Sequence, residues 1–245
     1  CYQLKEREED FCRLAEYPQK ISKSYLYDLM SDYSIPEKLK KDFYTVKSKK
    51  ASNDLEKVSK NQKEKLIKKI NLKEINSEIK VDFGILIERS NLRAFPTNKI
   101  LASSPETIDQ DLIQLTALSV GTPCAILHIS NDQNWYYVQS IRYRGWVEKA
   151  RVAVAENKNE ALDYLDSDQF LVVTESRVET EPNPFDKDIS NILFQMGDKI
   201  PLVNNDEIPD SIPENNQQAQ SPAGAYVVWI PVKGSKEKLK FKKAL

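Results

Sequence analysis

The chain holds one histidine, His128, and three cysteines, Cys1, Cys12 and Cys124. A cysteine or serine nucleophile draws on a positioned base, most often an imidazole. Cys124 and His128, four residues apart in Cys124-Ala125-Ile126-Leu127-His128-Ile129-Ser130, are therefore the first pair to weigh. On an extended strand that spacing puts them on one face but about 13 Å apart. Proton transfer between them is excluded unless the strand is broken. Alternation sets His128 opposite Leu127 and Ile129, as a strand-surface or interdomain residue, and Cys124 reads as a small buried hydrophobe. No catalytic residue is assigned.

Metal and phosphate chemistry fare no better. There is no HExxH, no paired-cysteine motif and no ordered carboxylate loop; Glu179 and Glu181, beside Pro182 and Asn183-Pro184, read as solvated. GxGxxG and Walker loops are absent, and six glycines give little capacity for backbone phosphate cradles. The sequence thus implies no cofactor and no metal.

Two stretches remain that suit recognition. Glu88-Arg89-Ser90-Asn91-Leu92-Arg93-Ala94-Phe95-Pro96-Thr97 takes a strand into a polar and aromatic loop. Trp135-Tyr136-Tyr137 puts rings on both faces of a strand, so at least one ring lies outside the core that holds the others. Rings on a rim supply apolar area, and a carboxylate or guanidinium fixes orientation, as sugar or peptide binding requires. The competing reading is packing: Phe95 and one tyrosine plug a barrel end while Arg93 pairs locally. Composition leaves both open.

The elements that would carry these stretches emerge from periodicity. Residues 1–80 read as short helices and polar connections: Tyr25, Leu26, Leu29 and Met30 form one apolar face, with Ser22 or Ser24 as its cap and Pro36 interrupting the chain beyond it. A second helix is expected from about Gln62 to Ile70, and a further turn at Leu72 and Ile75. Helices this short are marginal alone, so they must pack on the neighbouring domain. Residues 46–61, polar and without apolar period, are expected to form a surface loop. From Val81 the texture becomes β: strands are expected at Phe83 to Glu88, Cys124 to Ser130, Trp135 to Ser140, Gly145 to Glu148 and Val152 to Ala155. Turns at Ser130 to Asn134 and Arg142 to Gly145 join them. Five short strands in residues 81–156 suit a small barrel. In residues 157–245 a spacer helix, Lys158 to Leu165, precedes strands at Phe170 to Thr174, Ile200 to Val203, Tyr226 to Pro231 and Leu239 to Phe241, with a long polar loop at 204–224. The expected class is mainly β, two small SH3-like barrels after a helical segment, α+β overall.

Charge narrows the partners. The 36 Lys and Arg nearly balance the 37 Asp and Glu, which gives no reason to expect duplex DNA or another polyanion. Lysines crowd residues 38–73, either as a basic face toward an anionic surface or as a solvated helix coat. No run of eighteen apolar residues occurs, so no transmembrane segment is read. Cys1 opens the chain, as the lipid-bearing cysteine of a processed bacterial lipoprotein would; a trimmed fragment accounts for it equally.

Several of these segments, taken in order, resemble a known architecture. Arg89-Ser90-Asn91-Leu92-Arg93-Ala94-Phe95-Pro96-Thr97, Gly121-Thr122-Pro123, Ile126-Leu127-His128, Trp135-Tyr136-Tyr137-Val138-Gln139 and Tyr143-Arg144-Gly145-Trp146-Val147 look like the first bacterial SH3-like domain of multidomain NlpC-type cell-wall cysteine peptidases. Phe170-Leu171-Val172-Val173-Thr174, Thr180-Glu181-Pro182-Asn183-Pro184 and Met196-Gly197 resemble the second, and residues 1–80 the helical segment before both. Each motif is weak; their order is specific. The resemblance implies a γ-D-glutamyl-diamino acid endopeptidase whose cysteine, histidine and third polar residue sit in a papain-like domain after the second barrel and packing against the first. It implies a peptidoglycan stem, L-Ala-D-Glu-diamino acid, as partner. The stem's free amino terminus would meet Glu88 and the hydroxyl of Tyr136 or Tyr137, with Arg93 and Trp135 in the same binding set. The implied location is the cell envelope or periplasm, with lipid anchoring through Cys1 as one form of it. The chain departs from the pattern at Phe241-Lys242-Lys243-Ala244-Leu245, where the linker to the catalytic domain is expected, and none of its cysteines matches the family nucleophile. Three readings result: a recognition portion of an endopeptidase, inert without its catalytic domain; a stand-alone wall- or protein-binding module; or a barrel that only spaces a catalytic unit from an anchor.

Overall fold

The computed structural model describes residues 14–31, 42–48, 51–203 and 226–245. Cys1, Cys12, Pro36 and the loop expected at 204–224 lie outside the described residues, as do Lys38, Lys40, Lys41, Lys49 and Lys50 of the basic stretch. The fold is mainly β with a small helical part. In chain order the elements begin β1 (Lys20–Ser22), α1 (Lys23–Ser31), β2 (Tyr44–Ser48), β3 (Ala51–Lys57), α2 (Lys60–Ile70) and β4 (Glu78–Lys80). Next come β5 (Asp82–Leu86), β6 (Ser90–Arg93), β7 (Gln114–Leu118), β8 (Pro123–Ile129), β9 (Trp135–Ser140), β10 (Arg144–Glu148) and β11 (Val152–Val154). The chain closes with α3 (Lys158–Leu162), β12 (Phe170–Val172), β13 (Arg177–Glu179), β14 (Leu193–Gln195), β15 (Lys199–Pro201), β16 (Val228–Lys233) and β17 (Leu239–Ala244).

Two compact units share the chain: Cys1–Asp82, Ser90–Ala117 and Ala125–Ala150 in unit 1, Phe83–Arg89, Leu118–Cys124 and Arg151–Leu245 in unit 2. In unit 1 the strands run in the order β8-β9-β10-β6-β7. The β9–β10 register sets Tyr137 opposite Trp146, and β6 sets Arg93 opposite Trp146 on the other side. The turn before β9 forms where the Asn and Asp residues predict it: Ser130 Oγ donates to Asp132 at 2.6 Å, Asp132 accepts the Asn134 amide, and Gln133 takes the left-handed conformation. The next turn is closed by Ser140, whose hydroxyl donates to the Tyr143 carbonyl at 2.7 Å.

The helices do pack on this sheet. Ser59 caps α2 in a reciprocal box with Gln62, so the helix starts two residues earlier than its apolar spacing indicates, and Asn71 ends it in the left-handed conformation. The stretch 46–61 is a correction: the expected surface loop is instead the β2–β3 hairpin, Tyr44 paired with Lys57, leading into α2. Lys47, Ser48, Ser52, Asn53, Asp54, Glu56 and Lys57 are polar, so no apolar alternation marks the two strands. Strands β6 and β7 likewise go unmarked in the sequence, because their polar residues break the pattern.

Unit 2 holds three two-stranded sheets, β12 with β15, β13 with β14 and β16 with β17, together with the antiparallel pair β5–β11. Val120, Val173, Phe194, Ile200, Ile230 and Val232 belong to its core. Gly121 is required to be glycine: its φ is +80°, and a Cβ there would run into the Tyr164 ring. Tyr164 in turn stacks on Phe241 at 5.6 Å between ring centroids and donates its hydroxyl to the Trp229 carbonyl at 2.9 Å. The β13–β14 ladder has no sequence signature because Arg177, Val178 and Glu179 are all exposed.

Candidate functional site

Unit 1 carries most of the residues singled out for recognition. In β9, Trp135 and Tyr137 share one face and Tyr136 takes the other, yet all three are buried. As the alternation predicts, Tyr136 stands on the opposite face from the other two rings, and it is buried there. On the helix side, the Tyr137 hydroxyl donates to the Leu29 carbonyl of α1 at 3.1 Å, and Lys69 of α2 lies 5.7 Å from the Trp135 ring centroid. Tyr137 also packs 5.4 Å from Trp146, which is wholly buried. On the far face Lys149 lies 5.6 Å from the Tyr136 ring.

His128 joins the same face. Its Nε2–H donates to the Ile70 carbonyl at the end of α2 at 3.0 Å, and its ring meets Trp146 edge-on at 6.1 Å. Burial lowers its pKa below the ordinary histidine range, against the bonds to the Ile70 and Asn71 backbone. The imidazole is a neutral tie between α2 and the sheet. Cys124 is wholly buried, and burial alone pushes its thiol up to about 12. Neither residue is poised for nucleophilic chemistry.

Arg93 is 3% exposed, and its Nη2 donates to Asp111 Oδ2 at 2.6 Å and to the Lys99 carbonyl at 2.7 Å. Asp111 Oδ1 accepts the Leu101 amide at 3.2 Å and the Ile113 amide at 3.3 Å. The pair braces the segment from Phe95 to Leu101, and Phe95 itself is wholly buried. Sequence reasoning misses Asp111, because nothing local marks a partner eighteen residues away.

Glu88 falls in unit 2, whereas Arg93 and Trp135 to Tyr137 fall in unit 1. It is exposed, and its carboxylate lies 3.1 Å from Arg151 Nη1, which also donates to the Arg89 carbonyl at 2.8 Å. Arg89 Nε reaches Gln195 Oε1 at 2.7 Å.

A cleft of about 170 Å³ opens in unit 1 between the β2–β3 hairpin, α2 and the segment braced by Arg93. Val58, Leu66 and Leu101 supply its apolar surface, and Lys65, Lys69 and Lys99 its charge. Lysines four apart on one helix, flanking Leu66, are the available sequence signal. Among the described residues no cluster of three or more His, Cys, Asp and Glu could hold a metal ion, and no helix is long and apolar enough to cross a membrane.

With this geometry in view, residues 102–148 match the family model for the SH3 domain of SH3b1 type. That segment contains β7 to β10, including Trp135, Tyr136, Tyr137, His128 and Trp146. No curated protein matches the chain. Among solved structures, an NlpC/P60 endopeptidase from Photobacterium damselae subsp. piscicida is similar in fold, with a TM-score of 0.64 at 18% identity over 88% of this chain. The chain spans 42% of the length of that protein.

Proposed function

We propose that this chain is the recognition and positioning portion of a bacterial cell-wall peptidase of the NlpC/P60 kind, acting in the cell envelope on peptidoglycan stem peptides. The observation that carries the reading is the SH3b1-type match over residues 102–148 within a fold that resembles an NlpC/P60 endopeptidase over 88% of the chain. The motif order read from the sequence supports it independently. The bond cleaved by the whole enzyme is then the γ-D-glutamyl-diamino acid linkage, cut by a papain-like cysteine domain that this chain serves.

Glu88 is the residue we assign to the ammonium of the stem's L-Ala. Its carboxylate is exposed, and Arg151 restrains it without burying it. A charge-assisted hydrogen bond to an ammonium contributes about 1.5 to 3 kcal/mol. Directed toward holding the scissile bond against a nucleophile supplied elsewhere, that energy raises turnover as well as affinity.

The test is hydrolysis of L-Ala-D-Glu-diaminopimelate, monitored by chromatography. The pure chain is expected to leave the tripeptide intact, and turnover by a homogeneous sample would overturn the reading. In an enzyme form that carries the cysteine domain, Glu88→Gln is expected to lower kcat/KM for this substrate about tenfold or more. No change there would favour a barrel that acts only as a spacer.

A further inference from the structure

We propose that the cleft on unit 1 binds a carboxylate carried on a short aliphatic chain, the chemistry of one acidic residue of a peptide. This goes beyond the cell-wall reading and does not involve Glu88. The volume decides the size of the occupant. About 170 Å³ is close to the ~150 Å³ of an apolar cavity that admits benzene, and well below the ~300 Å³ at which drug-sized pockets begin. One side chain or a short diacid matches that volume.

The lining decides its chemistry. Val58 is buried, Leu66 partly buried and Leu101 buried, and together they give the cleft an apolar floor. Lysines stand at its edge. Lys69 is already engaged, 2.9 Å from the Pro96 carbonyl and 2.8 Å from Asp132. Lys65 and Lys99 are exposed and have no acidic partner among the described residues. Besides Asp132 on Lys69, a second acid is tied to a lining residue: Glu56, whose Oε1 accepts the Gln62 side-chain amide at 2.7 Å. Two exposed lysines lining an apolar cleft complement an occupant that is anionic at one end and aliphatic along its length.

The cleft is also preformed. Its α2 wall is fixed at one end by the Ser59 cap and at the other by His128 on the Ile70 carbonyl. The opposite wall is held by Arg93 on the Lys99 carbonyl and Asp111 on the Leu101 amide. Binding therefore orders little of the protein, which favours affinity for a small ligand. Arg93 acts here as a positioning residue.

The experiment uses the full chain with ¹³C-labelled Leu and Val methyl groups, titrated separately with glutarate, glutaramide and inorganic phosphate. Glutarate is expected to shift the methyl signals of Val58, Leu66 and Leu101 saturably, with glutaramide and phosphate each at least tenfold weaker. Lys65→Gln with Lys99→Gln is expected to weaken glutarate at least tenfold while leaving the remaining methyl spectrum unchanged, which reports an intact fold. Glutaramide equal to glutarate, phosphate equal to glutarate, an unaffected double variant, or no saturable shift would each overturn the proposal. None of these outcomes bears on stem-peptide hydrolysis, so the two readings fail separately.

Discussion

Unit 1 and unit 2 are both assembled from short antiparallel strands, but they hold their interiors by different means. In unit 1, long side chains from the sheet donate to backbone carbonyls of other segments: Tyr137 to Leu29 and His128 to Ile70, both far along the chain, and Arg93 to Lys99, six residues on. In unit 2 the core is aliphatic around Phe194; its buried ties of this kind are Tyr164 on the Trp229 carbonyl and Thr180 on the Ile189 carbonyl, while Arg151 on the Arg89 carbonyl and Lys199 on the Leu165 carbonyl are partly open to solvent. Its conspicuous ion pairs, Lys242 with Asp186 and Asp188, are partly open to solvent. A region fixed by directional bonds keeps its loops and clefts in one geometry, whereas a region fixed by apolar volume tolerates change at its surface.

Substitutions inside the two cores give the largest expected effects. Asp111→Ala strands the buried guanidinium of Arg93 and is expected to destabilise the protein by about 3 to 5 kcal/mol in urea unfolding. Arg93→Met with Asp111→Leu together are expected to recover most of that loss, since apolar residues of similar size replace a buried ion pair well. The double variant would still lose the bonds that hold Lys99 and Leu101, so stability and cleft geometry should part company. In unit 2 the comparable change is apolar: Phe194→Ala is expected to cost about 3 to 5 kcal/mol. Equal tolerance of Asp111→Ala and a surface Asp→Ala would break the comparison.

Tyr137→Phe is a smaller probe of the same contrast. It removes the bond to Leu29 while keeping the ring on Trp146, and about 1 kcal/mol of destabilisation is expected.

The tie at His128 makes a pH prediction. Its folded pKa is depressed, so near and below the ordinary value of 6.5 the native protein binds fewer protons than the unfolded chain. Its contribution is fully present above pH 6.5 and declines as pH falls below that value. The slope it adds is at most about 1.4 kcal/mol per pH unit, one proton's worth. Unfolding measured from pH 7.5 to 5 should be less pH-dependent in His128→Gln than in the parent protein, and an identical slope would contradict the assignment. Lys242→Gln should do least: a partly exposed pair is worth less than about 1 kcal/mol, and 1 M salt should erase what there is.

What the sequence makes legible divides along physical lines. Strand β9 has the ends its sequence predicts, because an aromatic and β-branched run sits between an Asn-Asp turn and a serine that closes the next one. Helix α1 and the apolar side of α2 are legible from 3.6-residue spacing, although the Ser59 cap is not. The hairpin 44–57 and the β13–β14 ladder are not legible either, since alternation records burial on one face: the hairpin's residues are mostly polar, and in the ladder Phe194 is buried while Arg177, Val178 and Glu179 are all exposed. The same limit applies to the site. For Arg93 the sequence leaves both a recognition role and a local pairing open, and choosing between them requires Asp111, which sequence distance conceals. The cleft joins Val58, Leu66 and Leu101 from three segments whose meeting is a property of the fold.

Calorimetric titration of the pure chain with L-Ala-D-Glu-diaminopimelate, with chromatography of the cell contents afterwards, asks whether the chain holds a wall peptide without cutting it. Saturable heat is expected, with binding at least tenfold weaker for the N-acetylated tripeptide and all of the tripeptide recovered intact. Undiminished binding of the acetylated form, the absence of any saturable heat, or the appearance of free diaminopimelate would contradict recognition without cleavage.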